Sequence, residues 1–415
     1  MNPLTELPTD LITPLGAYLA LRERGDAAFL LESVERGRLG RHSLVGCGAR
    51  TCSFDDAEHQ AGAVVGYVAY DHVAKLEPKV PLPDGGGLPE SRFVVADVLV
   101  RFDHALGIAE VLCGDPADVA RLLAPASGRT VPQGTLRAGG RAGGTTTRAP
   151  SSEEYELNVR RAQEHIRDGD AFQIVLSQRA ERTTHASAVD LYRALRRVNP
   201  SPYLFLLELG DVALIGSSPE TLVKAEQRHA SLNPIAGTTE RGPGDAERLL
   251  ASEKDRAEHV MLVDLGRNDL SRVCVAGTVR VERFLDVEPY SHVTHLVSQV
   301  DGELRADVTH FDLLRACFPA GTVSGAPKVR AMQIISELEG VRRGPYAGAV
   351  GYALHGEVID TCIAIRTIVL HEGVAQMQAG AGIVAESDPS AEHRECLNKL
   401  AALEAAVDLA ERDIA

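Results

Sequence analysis

The chain has 415 residues, 44% of them apolar and 24% charged, which is the balance of a folded globular protein with room for one large core or two ordinary ones. Its 58 acidic residues outnumber 43 basic ones and leave a net charge of -15, which excludes a broad surface for nucleic acid or an anionic membrane; an anionic ligand needs a local positive pocket. Seven cysteines without a C-x-x-C pair or a zinc-like spacing are expected as free thiols, and neither a leader pattern nor an apolar run of about 20 residues is present, so the expected location is the cytoplasm.

Taken in chain order, "AGAVVGYVAYD" and "SRFVVADVLVRFDHALGIAEVLC" are β-rich runs punctuated by Gly and Asp, and they predict a small sheet-forming lobe over 1–124. Residues 125–150, rich in Gly, Thr, Ala and Pro without an apolar period, read as an exposed linker ahead of a second unit over 151–415. Ser151 or Ser152 can cap a helix whose Tyr155, Val159, Ala162 and Ile166 share one face. In "AFQIVLSQR", Phe172, Ile174 and Leu176 alternate with Gln173, Val175 and Ser177 as in a strand. The runs "YLFLLEL", "VALIGS", "GAVGYAL", "VIDTCIAIRTIVL" and "AQMQAGAGIVA" predict further strands, with helices near 244–265, 327–339 and 390–412. Strands in clusters with irregularly placed helices indicate an α+β fold.

Four features carry chemistry. "EKDRAEHVMLVDLG" sets Asp255 and Glu258 on one helix face, and "AEHRECLNKL" does the same for Glu392, Glu395 and Lys399. Such pairs are either solvated faces or, beside this many apolar neighbours, oxygen ligands from two helices of the kind Mg²⁺ takes. Arg366 and Gln173 lie in runs that otherwise read as buried strand, so each is a structural polar group or a ligand contact; the functional reading of Arg366 is bidentate capture of a carboxylate. The glycine-punctuated "LNPIAGTTERG" and "MQAGAGIV" suit a turn and a close backbone approach, and His292 and His295 could be core histidines. Finally, "FPAGTVSGAPK" has the composition of a phosphate cradle but fails the P-loop pattern, since Pro327 precedes the lysine and Val329 follows it. It reads as a loop feeding a helix with Pro327 in the first turn and Val329, Met332, Ile335 and Leu338 inward.

In this order, "PIAGT", "AEHVMLVDLGRNDL", "YSHVTHLVSQV", "FPAGTVSGAPKVRAM", "GPYAGAVGY", "DTCIAIRT", "QAGAGIVAESDP" and "EHRECLNKL" resemble the chorismate-utilising enzymes, most closely the synthase subunits of anthranilate synthase, from about residue 151 to 408. "LLESVERGRLGRHSLVG" and "GYVAYD" resemble the N-terminal part of the same subunits. The resemblance implies a two-lobed sandwich of large antiparallel sheets with helices outside, chorismate as substrate, and Mg²⁺ held by Glu258 and Glu395 with Asp255 and Glu392 ordering waters behind them. It implies Arg366 and Tyr346 on the enolpyruvyl carboxylate, Lys399 with Gly380, Ala381 and Gly382 facing the ring carboxylate, and Ala236, Gly237 and Thr238 among the substrate contacts. Glu220 matches the general acid, whose pKa burial would raise; His295 matches the histidine that assists pyruvate elimination, and Thr322 lies at the ring.

Two positions sort the subfamilies. Hydroxylating members carry a lysine where this chain has Gln173, and members that aminate at C4 carry one where it has Ala236, so amination at C2 is expected. No amidotransferase domain is recognisable, and a separate glutamine amidotransferase subunit is the expected ammonia source. A tryptophan-sensing site matches at Leu31, Glu32, Ser33, Pro202 and Tyr203, but His42 precedes Ser43, Leu204 replaces the usual methionine, and the lobe is shorter than expected between Gly46 and Gly66.

Overall fold

In the strand Tyr203–Leu209 of the computed structural model, which describes residues 6–33, 40–124, 144–289 and 293–414, side chains alternate between two apolar environments. Leu204 and Leu206 join a cluster with helices, while Phe205, Leu207 and Leu209 join a cluster fed by strands of two sheets. A strand buried on both faces reads as a continuous apolar run, which is why "YLFLLEL" lacks a polar alternation.

Two antiparallel sheets of twelve and ten strands follow from repeating this pattern among the described residues. The first runs from Glu6–Pro8 through Ile108–Cys113, Val98–Asp103, His42–Gly48 and Ala27–Glu32 to Tyr203–Leu209, Val212–Ser218, Thr367–His371, Val374–Ile383, Gln173–Thr183 and Gly325–Ala326. The second runs from Ile235–Glu240 through Val293–Glu303, His229–Leu232, Thr221–Glu226, Val358–Ile363 and Ala349–Leu354 to Ala63–Val68, Ser91–Val95 and Arg50–Cys52. Strands from before and after the predicted linker therefore hydrogen-bond within both sheets. Phe29, Tyr67, Leu99, Phe205, Leu214, Val350 and Val369 fill the space between the sheets. Helices Pro14–Leu21, Ala188–Val198 and Pro389–Ile414 cover the outer face of the first sheet. Helices Glu253–Ser271 and His310–Cys317 cover the second. Most of the predicted linker, 125–143, and His292 lie outside the described residues.

Ser151 caps the helix Ser152–Arg167 with a capping box closed by Glu154, and Tyr155, Val159 and Ala162 are buried as its spacing predicts. Three expectations are corrected. "VIDTCIAIRTIVL" is two strands in different sheets, Val358–Ile363 and Thr367–His371, and Arg366 sits in the break at φ 51° rather than inside a strand. The helix over 244–265 is two helices, Asp245–Ala251 and Glu253–Ser271, that meet at Ser252. Phe172 lies just ahead of its strand and is 73% exposed, because the β-ladder begins only at Gln173. The seven cysteines are free, and among the described residues no helix is long and apolar enough to cross a membrane.

One buried ion pair ties these layers together. Arg343, 2% exposed, donates from Nε to Glu339 Oε2 at 2.8 Å and from Nη2 to Glu339 Oε1 at 2.7 Å. It also reaches the carbonyls of Val323 at 2.7 Å and Val175 at 2.8 Å, and its guanidinium lies over the rings of Tyr70 and Tyr346. Glu339 Oε1 accepts in addition from the amide and hydroxyl of Ser177, at 2.8 and 2.7 Å. The backbone amides of Arg343 and Gly344 donate to Asp71, from the N-terminal part of the chain. Removing one partner strands the other charge in the interior, so Arg343→Met is expected to cost about 3–5 kcal/mol in urea unfolding. The double variant Arg343→Met/Glu339→Leu should recover part of that loss, and a single-variant loss below about 1 kcal/mol would show that the pair does not hold the layers.

Candidate active site

The site forms where the chain twice passes from one sheet to the other. Val212–Ser218 belongs to the first sheet and Thr221–Glu226 to the second, with Glu220 at the crossing; Val358–Ile363 and Thr367–His371 make the reverse crossing at Arg366. The two crossings run side by side, because the Ile363 amide donates to Glu220 O at 3.0 Å and the Ser217 amide to Arg366 O at 3.1 Å. Strands that switch sheets open a corner in a sandwich, and here one crossing carries a carboxyl and the other a guanidinium.

Glu220 is 8% exposed, and burial drives its pKa up to about 8; the Glu258 charge adds to the rise, while the Thr322 hydroxyl and the Lys399 charge oppose it. The carboxyl is therefore protonated at neutral pH. Thr322 Oγ1 lies beside it, buried and without a partner of ordinary hydrogen-bond geometry. Arg366 is largely desolvated, which lowers its pKa, while Tyr346 and Glu395 favour its charge. Among the described residues its guanidinium has no hydrogen-bond or ion-pair partner, so it is a cation prepared for an incoming anion.

The acidic helix Glu253–Ser271 starts at Ser252, whose Oγ accepts from the Asp255 amide, and one turn on it presents Glu258. Glu258 Oε1 accepts from Gln173 Nε2 at 2.9 Å, and Gln173 Oε1 is buried with no partner. Gln173 can lie flat against the neighbouring strand only because residue 382 is glycine; a Cβ there would stand 2.2 Å from Gln173 Nε2, and one on Gly380 would stand 2.8 Å from the Tyr346 hydroxyl. Between them Ala381 is buried on the opposite face. The carboxy-terminal helix Pro389–Ile414 brings Lys399, whose Nζ donates to Gly380 O at 2.8 Å and pairs with Glu395 Oε1 at 2.7 Å. Glu392, one turn earlier, is buried, accepts from Ser387 Oγ at 2.7 Å, and has its pKa raised by burial.

The opposite wall comes from the second sheet. His295 Nδ1 donates to Gly237 O at 3.1 Å, so Nε2 is the basic nitrogen of the ring, and burial lowers its pKa and keeps it neutral. Gly237, at φ 66°, sits so close to the acidic helix that a Cβ would meet Asp255 Cβ at 3.1 Å. Ala236 pairs with Leu296 and the Thr238 backbone with His295; the Thr238 side chain lies outside the described part. The structure thus brings together Gln173, Glu220, His295, Thr322, Tyr346, Arg366, Lys399, both acidic pairs and both glycine-containing segments.

The charges are ordered: Glu258 and Glu395 offer carboxylate oxygens, Lys399 and Arg366 are cations, and Glu220 is a protonated carboxyl. Among the described residues no group of three or more His, Cys, Asp or Glu is placed to hold a metal ion. Glu258 and Glu395 are each paired to a nitrogen of the protein, so a cation held by these two carboxylates would complete its shell from water and ligand oxygens, as Mg²⁺ does. Sequence reading missed the layer behind the site, Glu339 and Arg343, because "VRRG" gives no sign of which arginine is buried; the four-residue spacing from Glu339 was the available signal.

The residues matched to tryptophan sensing also converge. Leu31 and Glu32 pair with Phe205 and Leu204, which sets Ser33 near Tyr203 and the buried Pro202. Glu32 accepts from Tyr192 and pairs with Arg196 at 3.3 Å, the Tyr203 hydroxyl meets Thr221 and Asp360, and Ser33 Oγ is buried without a partner.

Residues 31–405 match the profile of the chorismate binding enzyme family. The chain is 45% identical to anthranilate synthase component 1 of Thermus thermophilus, over 97% of this chain and 96% of that one. It is 44% identical to anthranilate synthase component 1 of Streptomyces coelicolor, over 98% and 88%. Among solved structures it superposes on anthranilate synthase component I from Streptococcus pneumoniae TIGR4 with a TM-score of 0.79 and 32% identity, over 96% of this chain and 99% of that one.

Proposed function

The chain belongs to the chorismate binding enzymes, as a synthase subunit of anthranilate synthase and hence a lyase of tryptophan biosynthesis, and we propose that the corner described above is where it acts. Chorismate carries two carboxylates, and the corner offers two cations for them. Arg366, with the Tyr346 hydroxyl near it, takes the enolpyruvyl carboxylate, and Lys399 with the backbone of Gly380–Gly382 faces the ring carboxylate. Mg²⁺ bound by Glu258 and Glu395 would draw electron density from the ring through that carboxylate. Asp255 and Glu392 stand behind these ligands to orient water.

Ammonia adds at C2 while the ring double bonds shift and the C4–O bond breaks. Glu220 gives its proton to the departing hydroxyl, which leaves as water, and the new ammonium group gives one up. The product is 2-amino-2-deoxyisochorismate. Neutral His295, with Nε2 as acceptor, then suits loss of the C2 proton; those electrons complete the aromatic ring as the C3–O bond breaks, and enolpyruvate leaves to become pyruvate. Gln173 and Ala236 agree with ammonia as nucleophile at C2, since neither an amide nor a methyl can act as the lysine of the other subfamilies does. The ammonia source is a separate glutamine amidotransferase subunit.

The observation that carries this reading is Glu220, a buried carboxyl held protonated at neutral pH beside the Thr322 hydroxyl and within reach of the Glu258 and Lys399 charges. Chorismate, Mg²⁺ and ammonium should yield fluorescent anthranilate and pyruvate in equal amounts, whereas a non-aromatic amine that accumulates without pyruvate would assign the first step alone. Since the group must be protonated to act and burial pushes its pKa in the free protein up to about 8, kcat/KM should fall as pH rises through 8, and Glu220→Gln should lower it by about 10²–10⁴. A flat profile from pH 7 to 9 with no loss in the variant would remove Glu220 from the mechanism. We also propose tryptophan as an inhibitor seated at Leu31–Ser33 and Pro202–Tyr203; unchanged turnover at millimolar tryptophan would reject it.

A further inference from the structure

A general acid that is buried has to be reloaded once per turnover, and bound substrate covers its working side. Behind Glu220 lies a cavity of about 40 Å³ bordered by Glu220, Asn233, Asp269 and Thr322 among apolar side chains. That is room for one or two waters with several polar partners. Asp269 and Leu265 also border a second, much larger cavity of about 510 Å³, which opens to solvent and is lined in addition by Arg272, Arg315 and Lys328.

Between the two cavities stands an ion pair that the reaction as derived above does not use. Lys328 Nζ donates to Asp269 Oδ2 at 2.7 Å and to Cys317 O at 3.3 Å, with the two side chains 11% and 8% exposed. Leu265 presses on the loop that carries Thr322, so closely that a Cβ on Gly321 would stand 2.2 Å from its Cδ2. Leu265 and Asp269 are the two residues that border both cavities, and of these the Asp269 carboxylate is the polar one.

We propose that the Asp269–Lys328 pair marks the route by which protons from solvent return to Glu220. The inference rests on Glu220 as the acid of the first step. In each cycle Glu220 loses one proton to the C4 hydroxyl and becomes a buried carboxylate, an unfavourable state that draws a proton inward. The proton enters through the larger cavity, passes water held at the Asp269 carboxylate, crosses the smaller cavity, and restores the neutral acid. The proton shed by the new ammonium group balances the cycle. Neither Asp269 nor Lys328 touches substrate; both act through Glu220.

The test replaces the pair with an apolar one of similar size, Asp269→Leu/Lys328→Met, which avoids stranding either charge and leaves folding measurable by thermal unfolding. The two half-reactions are then assayed separately, with chorismate and ammonium for the first and supplied 2-amino-2-deoxyisochorismate for the second. The first step should slow at least tenfold and acquire a larger solvent deuterium isotope effect, while pyruvate release from the supplied intermediate stays within twofold of wild type. Equal slowing of both steps, or no slowing of either, would overturn the route. Failure of wild-type protein to consume chorismate would instead refute the reading on which it rests.

Discussion

The Arg343–Glu339 pair is the constraint on which the site depends. Its hydrogen bonds reach three separate parts of the chain: Val175 and Ser177 on a strand of the first sheet, Val323 in the loop that holds Thr322, and Asp71 from the N-terminal part. The same guanidinium lies over Tyr346, the ring next to Arg366. A buried pair of this kind contributes little net stability compared with an apolar replacement, since both ions lose their hydration. Its value lies in geometry. Five donors in a rigid plane allow one arrangement of strand, loop and helix, where an apolar contact would tolerate several.

On the proposed reading, a chain with an acidic surplus would bind a dianionic substrate by keeping a cation uncommitted where it matters. Most arginines on this protein are spent on carboxylates or carbonyls, as Arg182 is on Asp408 and Arg315 is on Glu58. Arg366 is spared because the break between strands holds it away from any acid near enough to pair. Lys399 is held by Gly380 O and by Glu395, a neighbour one turn away on its own helix that is itself a proposed metal ligand. Binding of a cation at Glu395 would release Lys399 toward the ring carboxylate, so the two charges would be set in place together.

Much of this was legible in the sequence, for identifiable reasons. The capping box at Ser151, the strand periodicity after Gln173 and the acidic helix faces depend on neighbours within one or two turns, and such local rules survive into the fold. Resemblance supplied the roles proposed for Glu220, His295 and Arg366. Local rules could not divide "VIDTCIAIRTIVL" between two sheets, because every residue of it is compatible with a strand and the break is imposed by the neighbouring crossing at Glu220. Nor could they give Lys328 its place. In "FPAGTVSGAPK" the lysine looks like an anion ligand, yet its charge is bound to Asp269, 59 residues away in sequence.

The paired crossings at Glu220 and Arg366 make the corner a seam. One lip is formed by the first sheet, through Gln173 and the Gly380–Gly382 backbone, and the other by the second, through Gly237 and His295. Two covalent threads of the chain cross the seam directly, at Glu220 and at Arg366, and a ligand lodged in it would touch both lips at once. Substrate would then serve as a rivet through a laminate: the layers gain shear resistance that neither sheet possesses alone, and catalytic geometry and mechanical cohesion arrive in a single event.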